Sequence, residues 1–426
     1  MTQPILICTV GGSHKPILTA LQELQPEHTL FFCTGTDPAT GRPGSLSQIT
    51  GKGTPVEVRG KGGVVIERLP NIPTQAGLGE DFITVAEVPA DDLDEAVAAM
   101  LEAIAALRER FPDAAFIADY TGGTKTMTAA LVIAALESDD VELQLVTGTR
   151  GDLVRVRDGS QAGLAVGAEG IRLRRAMAPY LAAWGRFAYG EAAEGLARLS
   201  RPRDPQLRGE LQIALDLSRA FDAWDRFDHA IALELASDYQ ARIGRTCGTL
   251  LTFLKMLAAP DDDPRKTPAR LWDLWFNARR RAGQGRYDDA VARLYRLLEW
   301  TAQWLLGRKG IATSDLTAAQ IPVHLDIQPN RDGRRQAGLV MAWELVSHHV
   351  GGAASGFVEA ERNRMRNHLL ARNASILAHG DRPIQRQDWE TFSAWCEQSL
   401  LPLLEREAKG AGLRMRPSQL PDCRIW

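Results

Sequence analysis

The stretch DYTGGTKTMTAALVIAAL, Asp119 to Leu136, carries two adjacent glycines, a threonine-rich turn and one lysine between an apolar strand-like run and an apolar helical run. A polar glycine turn at a strand-to-helix junction is where a doubly wound α/β sheet presents backbone amides to an anion. It is not a Walker loop, because Lys125 follows Thr124 where that motif requires glycine, and it lacks GxGxxG spacing.

Upstream, ILICTVG (5–11) reads as a buried strand, HKPILTALQEL (14–24) as a helix with Pro16 in its first turn, and TLFFCTG (29–35) as a second strand. Downstream of a break at 36–80 come the strand ITVAEV (83–88), a helix over 91–111, the strand AAFIADY (114–120), a helix from Thr124 to Glu137 and the strand VELQLVTG (141–148). This alternation predicts a mostly parallel, doubly wound sheet. The Gly- and Pro-rich break contains VEVRGKGGVVIERLP (56–70), which predicts a hairpin outside the sheet, and LVRVRDG (153–159) predicts an antiparallel edge strand.

From about Met177 the apolar spacing becomes helical throughout. PQLRGELQIALDLSRAFDAWDRFDHAIALEL, GRYDDAVARLYRLLEWTAQWLL (285–306) and SGFVEAERNRMRNHLLARNASILAH (355–379) are the longest such runs, with a charged, Pro-rich break at AAPDDDPRKTP. The GRYDDA start is like one tetratricopeptide helix, but no such repeat recurs, so a bundle is expected. The expected organisation is therefore α/β followed by all-α, with an α/β unit over 1–172, a helical connector over 173–260 and a further helical domain over 261–426.

The composition limits the function classes. A net charge of −3 over 426 residues argues against nonspecific polyanion binding, and stable DNA binding is not expected. Arginine supplies most of the 50 basic residues, which favours forked phosphate contacts over point charges. Five scattered cysteines without CxxC spacing fit reduced thiols rather than a disulfide frame or zinc site, and no metal site or cofactor is expected. His348 and His349 are adjacent and point to different sides of a helix, which argues against a shared metal. The absence of a long apolar run or a basic leader predicts a cytoplasmic protein without membrane contact.

Two loops leave strand ends in the first third: TVGGSHKP (9–16) and DYTGGTKT (119–126). Gly11, Gly12, Gly122 and Gly123 allow close backbone approach, while Ser13, Thr121, Thr124 and Thr126 offer hydroxyls and His14 and Lys125 offer cationic contacts. Two readings stay open on these residues alone: a cradle for an extended anionic ligand, and a pair of tight strand-to-helix turns.

YTGGTKTMTAAL closely resembles a signature of the CARF domains of CRISPR-associated proteins, and TVGGSHKPI resembles their first-strand loop. The likeness covers about residues 1–170, leaving 36–80 unmatched. It implies a dimeric, doubly wound domain that binds cyclic oligoadenylate, tetra or hexa, as an allosteric activator. A ring of phosphodiesters suits a two-fold dimer presenting the same loops twice, with no triphosphate tail to grip.

Members of the CARF–HEPN ribonuclease family continue into a helical HEPN domain marked by R-x(4–6)-H. RNASILAH supplies Arg372, Asn373 and His379; Arg362 and His368 also fit the spacing, and chance alone supplies such pairs in an arginine-rich chain. Residues seven apart share a helix face, roughly 10 Å apart along the axis, whereas residues six apart do not. That favours Arg372 and His379, and Asn373 matches the family's polar residue after the arginine. RNA hydrolysis needs proton transfer at the 2′-hydroxyl and the 5′-oxygen and charge stabilisation at phosphorus. These roles fall to His379 and Arg372, with Asn373 orienting the substrate.

The resemblance thus implies a cyclic-oligoadenylate-activated, metal-independent endoribonuclease cutting single-stranded RNA as a homodimer with a composite site. The alternative is a nucleotide-sensing regulatory protein whose helices dock a partner. A further expectation is that the N-terminal unit cleaves its own activator. Arg293, Arg296 and Glu299 are expected in supporting ion pairs, and the tryptophans in the core.

Overall fold

A computed structural model describes residues 3–38, 40–59, 63–138, 140–147, 162–373, 381–415 and 417–426, the side chains of 245–247 and 371–373 excepted. The chain divides into two units, Met1–Arg174 and Arg175–Trp426.

The first unit is built on a six-stranded sheet. Its strands are β1 (Ile5–Thr9), β2 (His28–Cys33), β5 (Ile83–Glu87), β6 (Phe116–Asp119), β7 (Val141–Thr147) and β8 (Ala162–Val166), in the spatial order β5-β2-β1-β6-β7-β8. All pairings are parallel except β7 with β8. The expected doubly wound sheet is therefore present. The antiparallel edge strand is Ala162–Val166, while the stretch 153–159 expected to form one lies outside the described residues. The two strands between, β3 (Val56–Arg59) and β4 (Val65–Leu69), pair only with each other as an antiparallel hairpin.

Helices cover both faces, which is why residues 5–8 of β1 and 30–33 of β2 read as unbroken apolar runs and why every residue of both strands is buried, Thr9, His28 and Thr29 included. Ile5, Ile7, Leu30 and Phe32 face a core shared with Met100, Ile104, Met127 and Leu131. Their alternates Leu6, Cys8, Phe31 and Cys33 face a second core with Ile17, Leu21, Ile49 and Ile72. In chain order the helices are α1 (Lys15–Leu24), the short α2 (Ser47–Thr50) and α3 (Ile72–Ala76), α4 (Leu93–Arg110) and α5 (Lys125–Glu137). Asp92 and Thr124 cap α4 and α5, accepting from Glu95 N at 2.9 Å and Met127 N at 3.1 Å.

Along α6 (Glu169–Ala182) the chain leaves this unit for an all-helical one: α7 (Tyr189–Ala197), α8 (Pro205–Asp225), α9 (His229–Ser237), α10 (Gln240–Leu257), α11 (Lys266–Gly283), α12 (Tyr287–Gly307), α13 (Leu339–His349), α14 (Gly352–Asn373), α15 (Arg386–Trp395) and α16 (Leu401–Gly410). One apolar cluster runs through these helices from Ala183 to Ile425, and Trp184, Trp224 and Trp343 are among its most buried side chains.

A buried polar clasp crosses this core. Arg280, fully buried, donates to Asp225 on α8 at 2.6 Å and to Gln419 at 2.7 Å. Asp273 accepts from Trp224 Nε1 at 3.0 Å and pairs with His229 on α9 at 2.9 Å. Asn277 donates to the Asp225 carboxylate at 2.9 Å and accepts from Arg293 Nε on α12. Helices either side of the break at 258–265, shorter than the 258–268 expected because α11 begins at Lys266, are thereby held by one hydrogen-bonded network.

Candidate ligand loops and the candidate catalytic helix

Because β1 runs on to β2 on one side and β6 to β7 on the other, the sheet's topological switch lies between the adjacent strands β1 and β6. The crevice beyond the carboxyl ends of two such strands is where open α/β sheets bind ligands. Both glycine loops leave the sheet there, leading into the N-termini of α1 and α5, whose dipoles favour an anion.

The two loops interlock. A Cβ on Gly11 would lie 2.5 Å from Gly123 N, and one on Gly122 would lie 2.3 Å from Thr9 O. Gly123 also takes a φ of 89°, a left-handed conformation that glycine adopts without strain. Thr9 Oγ1 donates to Gly122 O at 2.7 Å, and Thr128 Oγ1 donates to the same carbonyl at 2.9 Å. Three of the four glycines therefore serve the approach of one loop to the other. Gly12 is different: it is exposed, and nothing lies within 4 Å of the position its Cβ would take.

Two of the candidate hydroxyls are engaged within the fold. Thr121 Oγ1 accepts from Val146 N at 2.7 Å, and Thr124 Oγ1 donates to Ala90 O at 2.7 Å while capping α5. Ser13 and Thr126 have no hydrogen-bond partner among the described residues, nor do the first two amides of α5, those of Lys125 and Thr126. Lys125 is exposed at the first position of that helix. These groups, with Gly12, are the ones presented outward.

His14 differs from its expected role. It is buried, and burial, followed by the neighbouring Lys15, lowers its pKa below the ordinary 6.5. That shift disfavours the imidazolium, and Lys125 is the exposed basic residue of the two. Asp119, at the end of β6, is 3% exposed and accepts from Thr121 N at 2.9 Å. Burial raises its carboxyl above the usual range, while the hydrogen bonds from Thr121 and Gln144 oppose the rise.

Thr9, Gln48, Asp119 and Thr128 were not singled out from sequence. Thr128, four residues beyond Thr124, and Thr9, at the strand end before the glycine pair, had a local signal. Gln48, which donates to Gly11 O at 2.8 Å from the 36–80 excursion, had none.

In the second unit, Arg372 and Asn373 are the last positions but one and the last of α14, but their side chains, and His379 altogether, lie outside the described residues. The competing pair is occupied otherwise. Arg362 pairs with Glu344 at 2.9 Å, and the half-buried His368 ring stacks on Phe392 at 4.6 Å with 6° between planes. Burial lowers the His368 pKa. Arg296 pairs with Glu299 at 2.8 Å, and Arg293 with Asp289 at 3.5 Å. His348 and His349 meet edge to face at 4.8 Å, and His349 lies 2.8 Å from Gln320 O. Among the described residues no group of three His, Cys, Asp or Glu side chains could hold a metal, and no helix is long and apolar enough to cross a membrane.

Comparison with known proteins adds to this geometry. Residues 261–400 match the family model described as the Csm6 HEPN domain. The structure of Enterococcus italicus Csm6 bound to cyclic hexa-2′-fluoro-hexa-dAMP aligns over 96% of this chain and 99% of its own, with a TM-score of 0.51 at 9% identity. Can2 from Sulfobacillus thermosulfidooxidans in complex with cyclic tetra-adenylate aligns over 58% of this chain and 69% of its own, with a TM-score of 0.24 at 11% identity. No curated protein matches the sequence. Residues 261–400 are thus similar to the Csm6 HEPN domain, and the chain shares the fold of that Csm6 structure.

Proposed function

We propose that this chain is a cyclic-oligoadenylate-activated, metal-independent endoribonuclease that cleaves single-stranded RNA in type III CRISPR defence. The observation that carries the reading is the Csm6-type HEPN domain over 261–400 in a chain whose other unit sets paired glycine loops at the switch point of a doubly wound sheet. The Csm6 protein sharing the fold is bound to a cyclic hexanucleotide, which supports a ring as the ligand of those loops.

The ring's phosphates would meet Gly12, Ser13, Lys125, Thr126 and the open amides of α5, with Gly11, His14, Thr121, Gly122, Gly123 and Thr124 shaping the loops behind them. A homodimer supplies this set twice, matching the ring's symmetry. In the HEPN domain His379 takes part in proton transfer as the RNA 2′-oxygen attacks phosphorus and the 5′-oxygen leaves with a proton. Arg372 stabilises the charge that builds on the phosphoryl oxygens, and Asn373 orients the ribose or phosphate. A partner copy completes the site with its own pair. Ring binding in the sensing unit shifts the HEPN arrangement toward the active one, a coupling between two distinct sites.

His379→Ala tests the assignment: RNA cleavage falls by about 10² or more, the scale of a lost general acid–base group, while ring binding by calorimetry is unchanged. Cleavage at the unmutated rate would remove His379 from the mechanism.

A further inference from the structure

The 36–80 excursion reaches the ligand crevice through Gln48. Its short helix α2 is pinned to the end of β2, where Thr34 N donates to Ser45 Oγ at 2.9 Å, Ser45 N donates to Thr34 Oγ1 at 3.0 Å and Leu46 N donates to Thr34 O at 3.1 Å. Ile49, 2% exposed, plugs the core formed with Leu6, Cys8 and Val10. Just past the helix, Gly51 O accepts from Asn71 Nδ2 at 2.9 Å, which ties α2 to the cap of α3. Held on three sides, α2 directs Gln48 Nε2 onto Gly11 O at 2.8 Å.

That bond fixes more than a carbonyl. The Gly11–Gly12 peptide is planar and trans, so its C=O and N–H point in opposite directions. With Gly11 O held by Gln48, the Gly12 N–H is turned away from α2. Gly12 is exposed, the space about its Cα is open, and its amide has no partner among the described residues. The same peptide turned over would bury the donor against α2 and present a carbonyl oxygen, which repels an anion. Glycines on both sides leave little steric resistance to that rotation, so an external hold is needed.

We infer that Gln48 is a positioning residue that locks the Gly11–Gly12 peptide with its amide outward, making Gly12 N–H a phosphate donor for the ring. The inference rests on the ring-binding reading above and assigns the excursion a part in it: a brace for the anion-facing peptide. It also separates the two glycines of the first loop, Gly11 being packed and Gly12 donating.

The test uses the full-length protein, with cyclic tetraadenylate and cyclic hexaadenylate titrated against RNA cleavage and against calorimetric binding. Gln48→Met keeps the length and removes the donor, and Gln48→Glu keeps the shape and puts a carboxylate beside the carbonyl, favouring the turned-over peptide. Loss of one neutral hydrogen bond predicts that Gln48→Met needs about fivefold more ring for half-activation. Gln48→Glu should need more still. In both, the cleavage rate at saturating ring stays at the unmutated value and the thermal midpoint falls by no more than about 2 °C, the scale of one lost hydrogen bond, a split that a general loss of packing would not give. Unmutated affinity in both variants, or losses that only track a fall in thermal midpoint, overturns the inference. An unmutated protein that binds neither ring instead removes the reading beneath it, and this inference with it.

Discussion

Gly11 and Gly123 meet backbone to backbone: a Cβ added to Gly11 would sit 2.5 Å from the amide nitrogen of Gly123, closer than real Cβ contacts come. Residues more than a hundred apart in sequence are thus joined at the point where the two strand-end loops form one surface. Gly12, next in the chain, has open space where its Cβ would be. The two alanine substitutions should therefore behave differently.

Gly11→Ala should push the loops apart and destabilise the first unit by about 1–3 kcal/mol, the usual cost of overpacking. Gly12→Ala should leave the stability unchanged and weaken ring binding alone, because the added methyl stands where the ligand approaches. Denaturant unfolding beside calorimetric ring titration separates the two, and equal stability of both variants would contradict the interlock.

Arg280 is fully buried between Asp225 and Asp273. Arg280→Met leaves both carboxylates short of a partner in the core, and breaking a buried pair from one side costs about 3–5 kcal/mol. Arg296→Ala removes an exposed pair with Glu299 and should cost at most about 1 kcal/mol. Urea midpoints of the two variants check the contrast.

His14, His28 and His368 all have pKa values lowered below 6.5, chiefly by burial. Below 6.5 the unfolded chain takes up protons that the folded protein does not, so stability is level above that value and declines as pH falls through it toward the folded pKa values. The denaturation midpoint should therefore drop as pH falls below about 6.5. His28→Gln should shallow the drop while keeping a side chain able to reach Thr84 Oγ1, which His28 Nε2 meets at 2.8 Å. A profile identical to the unmutated one would remove His28 from this account.

The architecture was legible where local pattern and tertiary environment agree. Residues 5–8 of β1 and 30–33 of β2 are unbroken apolar runs because helices cover both faces, and Thr124 and Asp92 stand as caps ahead of apolar helical spacing. The meaning of the glycines was less legible. A Gly-Gly turn after a strand suggests close approach by a ligand, but the sequence does not say that the approaching backbone is the other loop. Gln48 to Gly11 and Arg280 to Asp225 are long-range pairs, so nothing local announces either. The reverse holds for His14: its residue type suggests a cation, and its burial disfavours the charge. Arg372, Asn373 and His379 rest on their spacing and on the HEPN match, since their side chains lie outside the described residues.

The central claim is that ring binding switches on a ribonuclease that needs no metal. Its most direct test is cleavage of a labelled single-stranded RNA by the purified full-length protein in EDTA, with and without cyclic tetra- or hexaadenylate. The account predicts little cleavage without a ring and rapid cleavage with one of the two. Cleavage that ignores both rings, or that EDTA abolishes, would contradict it.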